Sequence, residues 1–449
     1  MSATSFGRQA SELSDRVKTV HDPVHGGIRV DGFFLEIMDR HEMQRLRGVK
    51  QLGMGNFVFP GANHTRFEHC LGTYYLAGRM AKAIGLSEED SLAVRTAAMM
   101  HDICHAPFSH TLEAVMEDAT GLDHMELARN LICGKGKVFR DRDADLLAGS
   151  GSIADILESN GIDPVEVCDL IAYPESTERD LDNLTLDGMD HFPSKDYIHQ
   201  IIHGPVDADQ MDYLMRDAHY TGVVMGNIDV DRLLSTMRVV NDRICIERGG
   251  APAAEGLMVS RALMYSSVYY HQTVRVLERM VTKAVLSSDL DLSEIYLWDD
   301  SDMTQALLSA GGSSSRLMRL VQNRMFYKKA LEVSAGDVDE ELSRILMKYK
   351  DHRKRIELEQ HIADKAGLDV SEVVLEMTSS ANLGSAKIKI GKTDVSIVGE
   401  DGKVRPLTRT SPIAKALQSR DSFSWSMLVA CPEDKKEAVA RATSKVLGL

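Results

Sequence analysis

The chain has 449 residues, 43% of them hydrophobic and 27% charged, which is enough for a sizeable core and for two or three domains. Its net charge of −15 excludes a protein that coats nucleic acid or an anionic membrane through charge alone. A small polyanionic substrate, held locally by arginines and a cation, remains compatible with that charge.

No stretch is apolar for long enough to span a bilayer. Residues 1–17 read as a loose polar tail without the apolar centre of a signal peptide. Cys70, Cys104, Cys133, Cys168, Cys245 and Cys431 show no Cys-x-x-Cys spacing. A reducing cytoplasm is therefore expected, rather than a disulfide framework or a thiolate zinc site. From Lys18 the chain turns through Pro23 and two glycines into a short apolar segment. A helix is expected over residues 33–47, with Phe34, Ile37, Met38 and Leu46 apolar and Asp39, Arg40, Glu42 and Arg45 polar. Gly53, Gly55, Pro60 and Gly61 mark a turn-rich connection. A helix then opens near Asn63 and stops at Gly85, and Ser87-Glu-Glu-Asp90 is a capping box for the next one.

That next helix delivers His101-Asp102-Ile103-Cys104-His105-Ala106-Pro107-Phe108-Ser109-His110. Read as helical, His101 and His105 lie four apart on one face with Asp102 beside them. Converging imidazoles and a carboxylate suit Zn, Mn, Fe or Ni better than calcium. A lone His-Asp pair can equally be a helix-borne histidine bonded to its neighbour; three further clusters favour the metal. Pro107 interrupts this helix, and another begins near Ser109.

Between about residues 140 and 195 the texture loosens. Short helices are expected over 153–159 and 164–172, before a polar stretch at 174–182 that reads as a surface loop or insertion. Order returns at Pro205. As a helix, that segment sets Asp209, Tyr213 and Asp217 in one stripe and Met211, Leu214, Met215 and Ala218 in the opposite, core-facing one. Such a polar stripe suggests a cleft wall, with plain solvent exposure as the alternative. A long helix, residues 255–286, presents Arg261, Tyr265, Tyr269 and Gln272 at helical spacing. Beyond Asp289 no site chemistry stands out. Strands are expected at 373–377, 387–390, 395–398 and 423–430, with helices at 412–418 and 433–446. The expected division is a tail (1–17), a helical domain (18–288) with an insertion (about 140–195), a helical extension (289–369) and a small α+β module (370–449). The fold class is mainly α.

The strings PGANHTRFEHCLG, HDICHAPFSH and DADQMDYLMRD together resemble the HD-domain phosphohydrolases. Within them they are most similar to the deoxynucleoside triphosphate triphosphohydrolases, the mammalian SAM-and-HD-domain enzyme and its prokaryotic kin. The resemblance covers roughly residues 18–286. It implies an HD-type helical fold in which His69, His101, Asp102 and Asp209 bind a divalent transition metal (Mn, Fe, Ni, Co or Zn, with Mg as an optional companion). Positions for water and a phosphate oxygen stay open. It implies hydrolysis of a dNTP to deoxynucleoside and inorganic triphosphate, with His110 as general acid and Glu113 orienting it. His105 and His124 would contact phosphate or support the water. Many relatives carry Asp at the position of Glu113.

The same resemblance implies Arg66 and Arg261 as phosphate donors. Tyr213 and Asp217 would lie on the sugar, Gln51 would be a further sugar contact and Tyr269 a pocket residue. The residue after Asp209, often basic in relatives, is Gln210. Lys18, Asp39, Gln44 and Arg47 match a guanine-nucleotide activator site, and Val58, Phe59, Arg232 and His271 an adjoining dNTP site. This implies a GTP or dNTP activator and a homo-oligomer, dimer or tetramer. Surface salt bridges of an amphipathic helix would account for Asp39 and Arg47 equally well. The rival functions are another HD-type nucleotide phosphohydrolase (nucleotidase or phosphodiesterase) and a nucleotide-sensing scaffold with a vestigial site.

Overall fold

In the computed structural model, helix α1 (Arg66–Ile84) is the post against which the rest packs. Thr65 and Glu68 form a reciprocal capping box at its start, and Gly85 ends it in the left-handed region at φ 72°, a conformation that costs a residue with a β-carbon more. α1 lies against α2 (Glu88–Met100) and α5 (Ala208–Thr221), with the short helices α3 (Glu113–Thr120) and α4 (His124–Ile132) between them in sequence. The described residues are 16–147, 149, 151–172, 196–334, 337–349, 352–377, 395–418 and 425–449. Most of the tail, the polar stretch 174–182 and the expected strand 387–390 lie outside them.

The fold is mainly helical, with three small sheets: a hairpin of β1 (Val17–Asp22) and β2 (Gly26–Asp31), and two sheets drawn from distant parts of the chain. In one, β3 (Met237–Val240) and β4 (Arg243–Glu247) form a hairpin that β7 (Ser396–Val398) extends in parallel, followed by β8 (Val404–Pro406). In the other, β9 (Trp425–Cys431) is central, between β5 (Lys328–Ser334) and β6 (Val374–Met377).

Three expectations are corrected here. The residue 370 boundary does not separate a helical extension from an α+β module, because β5 lies at 328–334 and pairs with β9 along its length. Met427 to Cys431 are buried, so the backbone groups along β9 are cut off from water and need a partner strand on each edge; β5, with its two leading lysines, carries little strand signal of its own. The helix expected over 33–47 breaks at Arg40, whose extended backbone (ψ 143°) lets its buried guanidinium reach Glu42 and the carbonyl of Gly151. The long helix of residues 255–286 is two helices, α6 (Ala251–Met264) and α7 (Gln272–Leu286), joined through a single π-turn, Tyr265–Tyr269.

The main apolar core surrounds α1, α2 and α5. A second cluster, with Leu346, Leu358, Ile362, Leu375 and Val429, fills the space between the β5–β9–β6 sheet and helices including α8 (His352–Ala366) and Lys436–Leu447. Among the described residues no helix is long and apolar enough to cross a membrane.

Candidate active site

A cavity of about 710 Å³ opens between α1, α5, α6, α7 and the loop after α2. Among the residues lining it are Gln51, Arg66, His69, His101, Asp102, His105, His110, Glu113, His124, Asp209, Tyr213, Asp217, Arg261 and Tyr269. All the expected catalytic, substrate and metal residues thus share one space.

His101 and His105 do not share a helix face, as the four-residue spacing suggests. α2 ends at Met100, His101 is its C-cap, and residues 101–104 form a turn. Pro107 biases its predecessor away from helix, and His101 Nδ1 bonds the carbonyl of Ala98 at 2.9 Å, satisfying one of the last orphan acceptors. Beyond Pro107, Phe108 and Ser109 sit at φ 59° and 55°, strained values for residues with side chains. Asp300 holds this loop by accepting from Phe108 N (2.7 Å) and Lys50 N (3.1 Å). Ser109 Oγ donates to the Lys50 carbonyl and accepts from Arg66 Nε.

His69, His101 and Asp102 are all buried and bring their donor atoms within 4.8 Å of one another. Asp209 joins them from α5, its Oδ1 3.0 Å from His69 Nε2 and 3.7 Å from His101 Nε2. The donor set fits a transition metal for a reason visible in the tautomers. A carbonyl only accepts, so His101 carries its proton on Nδ1, and its Nε2 is buried with no hydrogen-bond partner among the described residues. His69 Nδ1 is likewise engaged, 2.7 Å from Asp212 Oδ2. Both rings therefore turn Nε2 toward the carboxylates, the arrangement that metal-bound histidines adopt. Burial opposes charge on His69, but Asp209 and Asp212 outweigh it and hold its pKa at about 10. Proton and cation would thus compete for Nε2. Burial also works against ionised Asp102 and Asp209. Arg66 and His101 overcome this for Asp102, and His101 and His69 for Asp209, holding both below the usual carboxylate range.

Beside this cluster runs a second row. Glu113 takes His110 Nδ1 on Oε2 at 3.0 Å and lies 2.6 Å from His124 Nδ1 through Oε1; the extra methylene over aspartate lets one carboxylate serve two rings. Burial would raise its pKa, but His110 and His124 hold it far below the ordinary range. His124 stacks on His105 at 4.4 Å, and His105 Nε2 is 3.0 Å from Asp102 Oδ1. Burial and the adjacent Arg66 keep His105 neutral. Arg66 Nη1 pairs with Asp102, and Nη2 lies 3.3 Å from His110 Nε2.

On the other side, Asp217 is buried, with Oδ1 2.7 Å from His64 Nε2 and Oδ2 accepting from Tyr269 O–H at 2.7 Å. Tyr213 meets Tyr269 edge-on at 6.0 Å. Gln210 turns back to its own helix start, donating to Gly204 O and Asp207 Oδ2. The cationic side chains it leaves in the cavity include Arg66 and Arg261.

Sequence reasoning missed the support behind His69. Asp212 binds His69 through Oδ2 and His25 Nε2 through Oδ1 (2.6 Å), while Arg216 grips both its oxygens and reaches Asp22 Oδ2 at 2.7 Å. Asp212 and Arg216 are fully buried. The i,i+4 acid–base spacing was legible, but it sat between the two stripes of α5. His64 was missed because no spacing connects it to Asp217.

Several of the expected activator residues are engaged with a neighbour. Lys18 and Asp39 pair at 3.6 Å, Arg47 Nε donates to Gln44 and its guanidinium covers the Phe67 ring at 3.7 Å. Phe59 meets His271 at 5.8 Å, next to Val58 in sequence, while Arg232 is spent on the Gly249 carbonyl.

His69 from α1, His101-Asp102 at the end of α2 and Asp209 from α5 form the His-His-Asp arrangement of an HD domain, and this chain belongs to the HD-domain phosphohydrolases. The HD domain matches residues 66–179 and the HD associated region residues 228–449. The chain is 30% identical to Uncharacterized protein MJ1154 of Methanocaldococcus jannaschii over 427 residues, covering 93% of this chain and 80% of that one. It is also 30% identical to human deoxynucleoside triphosphate triphosphohydrolase SAMHD1 over 333 residues, 70% of this chain but only 49% of SAMHD1. The crystal structure of a phosphohydrolase from Bacteroides thetaiotaomicron superposes with a TM-score of 0.64 at 24% identity, covering 93% of this chain and all of that one.

Proposed function

We propose that this protein hydrolyses deoxynucleoside triphosphates to deoxynucleoside and inorganic triphosphate. The observation that carries this reading is that one cavity holds the metal cluster, the His110–Glu113 pair and the Asp217–Tyr269 pair together. Phosphate chemistry alone would need only the first two. The third gives a sugar-sized polar wall, and the likeness to SAMHD1 supports it.

His69, His101, Asp102 and Asp209 would hold a divalent transition metal, which would supply an acidified water and charge compensation for the phosphate. Arg66 and Arg261 bind the phosphate oxygens. Asp217 accepts the 3′-hydroxyl and the Tyr213–Tyr269 pair closes on the sugar. His105 and His124, stacked and backed by Asp102 and Glu113, line the phosphate path. Attack at the α-phosphorus expels the 5′-oxygen, a poor leaving group until protonated. His110 delivers that proton from Nε2, its Nδ1–H held by Glu113. The activator residues and a homo-oligomer belong to the same reading, supported by the resemblance alone. Light scattering with and without GTP tests them.

Anion-exchange chromatography of the products decides the reaction. Release of tripolyphosphate with deoxynucleoside in a single step is expected from dNTPs with Mn, Fe, Co, Ni or Zn present. Stepwise release of orthophosphate would sink the reading in favour of a nucleotidase.

A further inference from the structure

α7 contributes Val274, Arg275 and Glu278 to the cavity, next to Tyr270. Arg275 is divided between two carboxylates. Its Nη1 donates to Glu278 Oε2 at 2.6 Å, and its Nη2 donates to Glu376 on β6. Glu376 is buried and shared with Arg279 Nε at 3.5 Å and Arg355 Nη1 of α8 at 4.0 Å. Three guanidinium groups thus stand against two carboxylates behind this wall, leaving a net positive charge beside a cavity suited to a polyanion.

The wall also continues toward the phosphate end. The π-turn closes with Tyr270 N–H donating to the Tyr265 carbonyl at 3.0 Å, which sets residues five apart one above the other. Tyr270 therefore stacks on Tyr265 at 5.9 Å, Arg261 lies 5.6 Å from the Tyr265 ring centre and Arg275 5.6 Å from that of Tyr270. The row Arg261–Tyr265–Tyr270–Arg275 alternates cation and ring, each holding the next. A role as a plain clamp does not explain Arg275. α7 is already fastened by Lys283, which donates to the carbonyls of Val370 and Val373 and lies 2.7 Å from Glu359 Oε2.

We propose that Arg275 is a positioning residue for the bound nucleotide and that Glu376 holds it in place, making the β5–β9–β6 sheet part of the substrate site. Arg275 neutralises Glu278 at the cavity surface and keeps the tyrosine row in register with Arg261. This rests on the reading of the cavity as a dNTP site.

Steady-state kinetics of the metal-loaded full-length protein with dGTP test it. Arg275→Gln should raise KM about tenfold with kcat within about twofold, since the metal ligands and the His110–Glu113 pair are untouched. Glu376→Gln should raise KM about threefold and Glu376→Asp less. The double variant should show the KM of Arg275→Gln alone, because Glu376 acts only through Arg275. Arg275→Lys replaces Arg275→Gln if the latter does not fold. Additive KM effects, or kcat falling in step with melting temperature, would overturn the proposal. If wild type releases no tripolyphosphate, the triphosphohydrolase reading falls separately. The same variants are then compared by calorimetric dissociation constants for dGTP. The non-additive pattern there upholds the wall, whereas unchanged constants or no binding by wild type overturn it.

Discussion

The metal end of the cavity and the edge that carries Lys18, Asp39, Gln44 and Arg47 are built on opposite principles. At the metal end both imidazoles of the cluster have a buried partner on their other nitrogen: His69 leans on Asp212, which leans on Arg216 and through it on Asp22, while His101 is fixed to the Ala98 carbonyl. Along the edge, Lys18 and Asp39 touch at 3.6 Å with 59% of each side chain exposed. The first geometry is set by the fold before any ligand arrives. The second is a loose surface pairing that a ligand could rearrange at little cost. Substitutions at the two ends should therefore separate cleanly into large coupled effects and small independent ones.

Asp212→Ala breaks the comparison hardest. It strips a fully buried guanidinium of one of its two carboxylates and frees the His69 ring. The expected loss is about 3–5 kcal/mol of stability and about ten- to a hundredfold in metal affinity, read by urea unfolding and by metal titration of the folded protein. Stability lost without a change in metal affinity would mean that Asp212 supports the core and not the ligand. Gly72→Ala comes next. A β-carbon there would fall 1.8 Å from Asp212 Oδ1 and 2.5 Å from Arg216 Nη2. Helix α1 and the buried pair must then part, at about 1–3 kcal/mol. A variant that melts with wild type would show that the pair has room to spare.

How much of this was legible in the sequence follows the same divide. Helix α1 and its Gly85 stop, the capped start of α2 and the polar stripe of α5 could be read from periodicity and capping residues, because each is a local pattern. The gathering of His69, His101, Asp102 and Asp209 came from matching strings to a family, and geometry added the tautomers that make the set fit a cation. What stayed hidden was set by partners far along the chain. β5 is a strand because β9 needs an edge, Arg40 breaks its helix to reach Gly151, and His64 meets Asp217 across 153 residues. The turn at His101–His105 was misread as helix because spacing alone cannot show that Pro107 has already ended it.

A smaller effect sharpens the picture of the metal end through pH. Burial raises Asp300 from 3.8 to about 6, against the opposing N–H groups of Phe108 and Lys50. The folded protein thus holds this proton more tightly than the unfolded chain. Its contribution to stability is complete below about pH 4 and lost as pH rises through about 6, at most about 3 kcal/mol. Asp300→Asn removes that dependence. Urea unfolding should show the variant gaining on wild type by up to that amount between about pH 4 and about pH 7. A difference that stays flat would mean that the carboxylate pinning the Phe108 loop is not held in a dry, preset place.

The smallest expected effect is at the edge. Asp39→Ala deletes one exposed carboxylate whose partner, Lys18, is equally exposed, and such pairs contribute about 0–1 kcal/mol. Arg47 remains seated on the Phe67 ring and bonded to Gln44, so the local backbone keeps its other supports. Melting temperature and bound metal should be those of wild type. Any rise in melting temperature that GTP gives the wild-type protein should shrink in the variant, since a guanine nucleotide there would lose a carboxylate able to accept its ring N–H groups. A variant destabilised as strongly as Gly72→Ala would make the edge as rigidly built as the metal end, and the contrast between the two would be wrong.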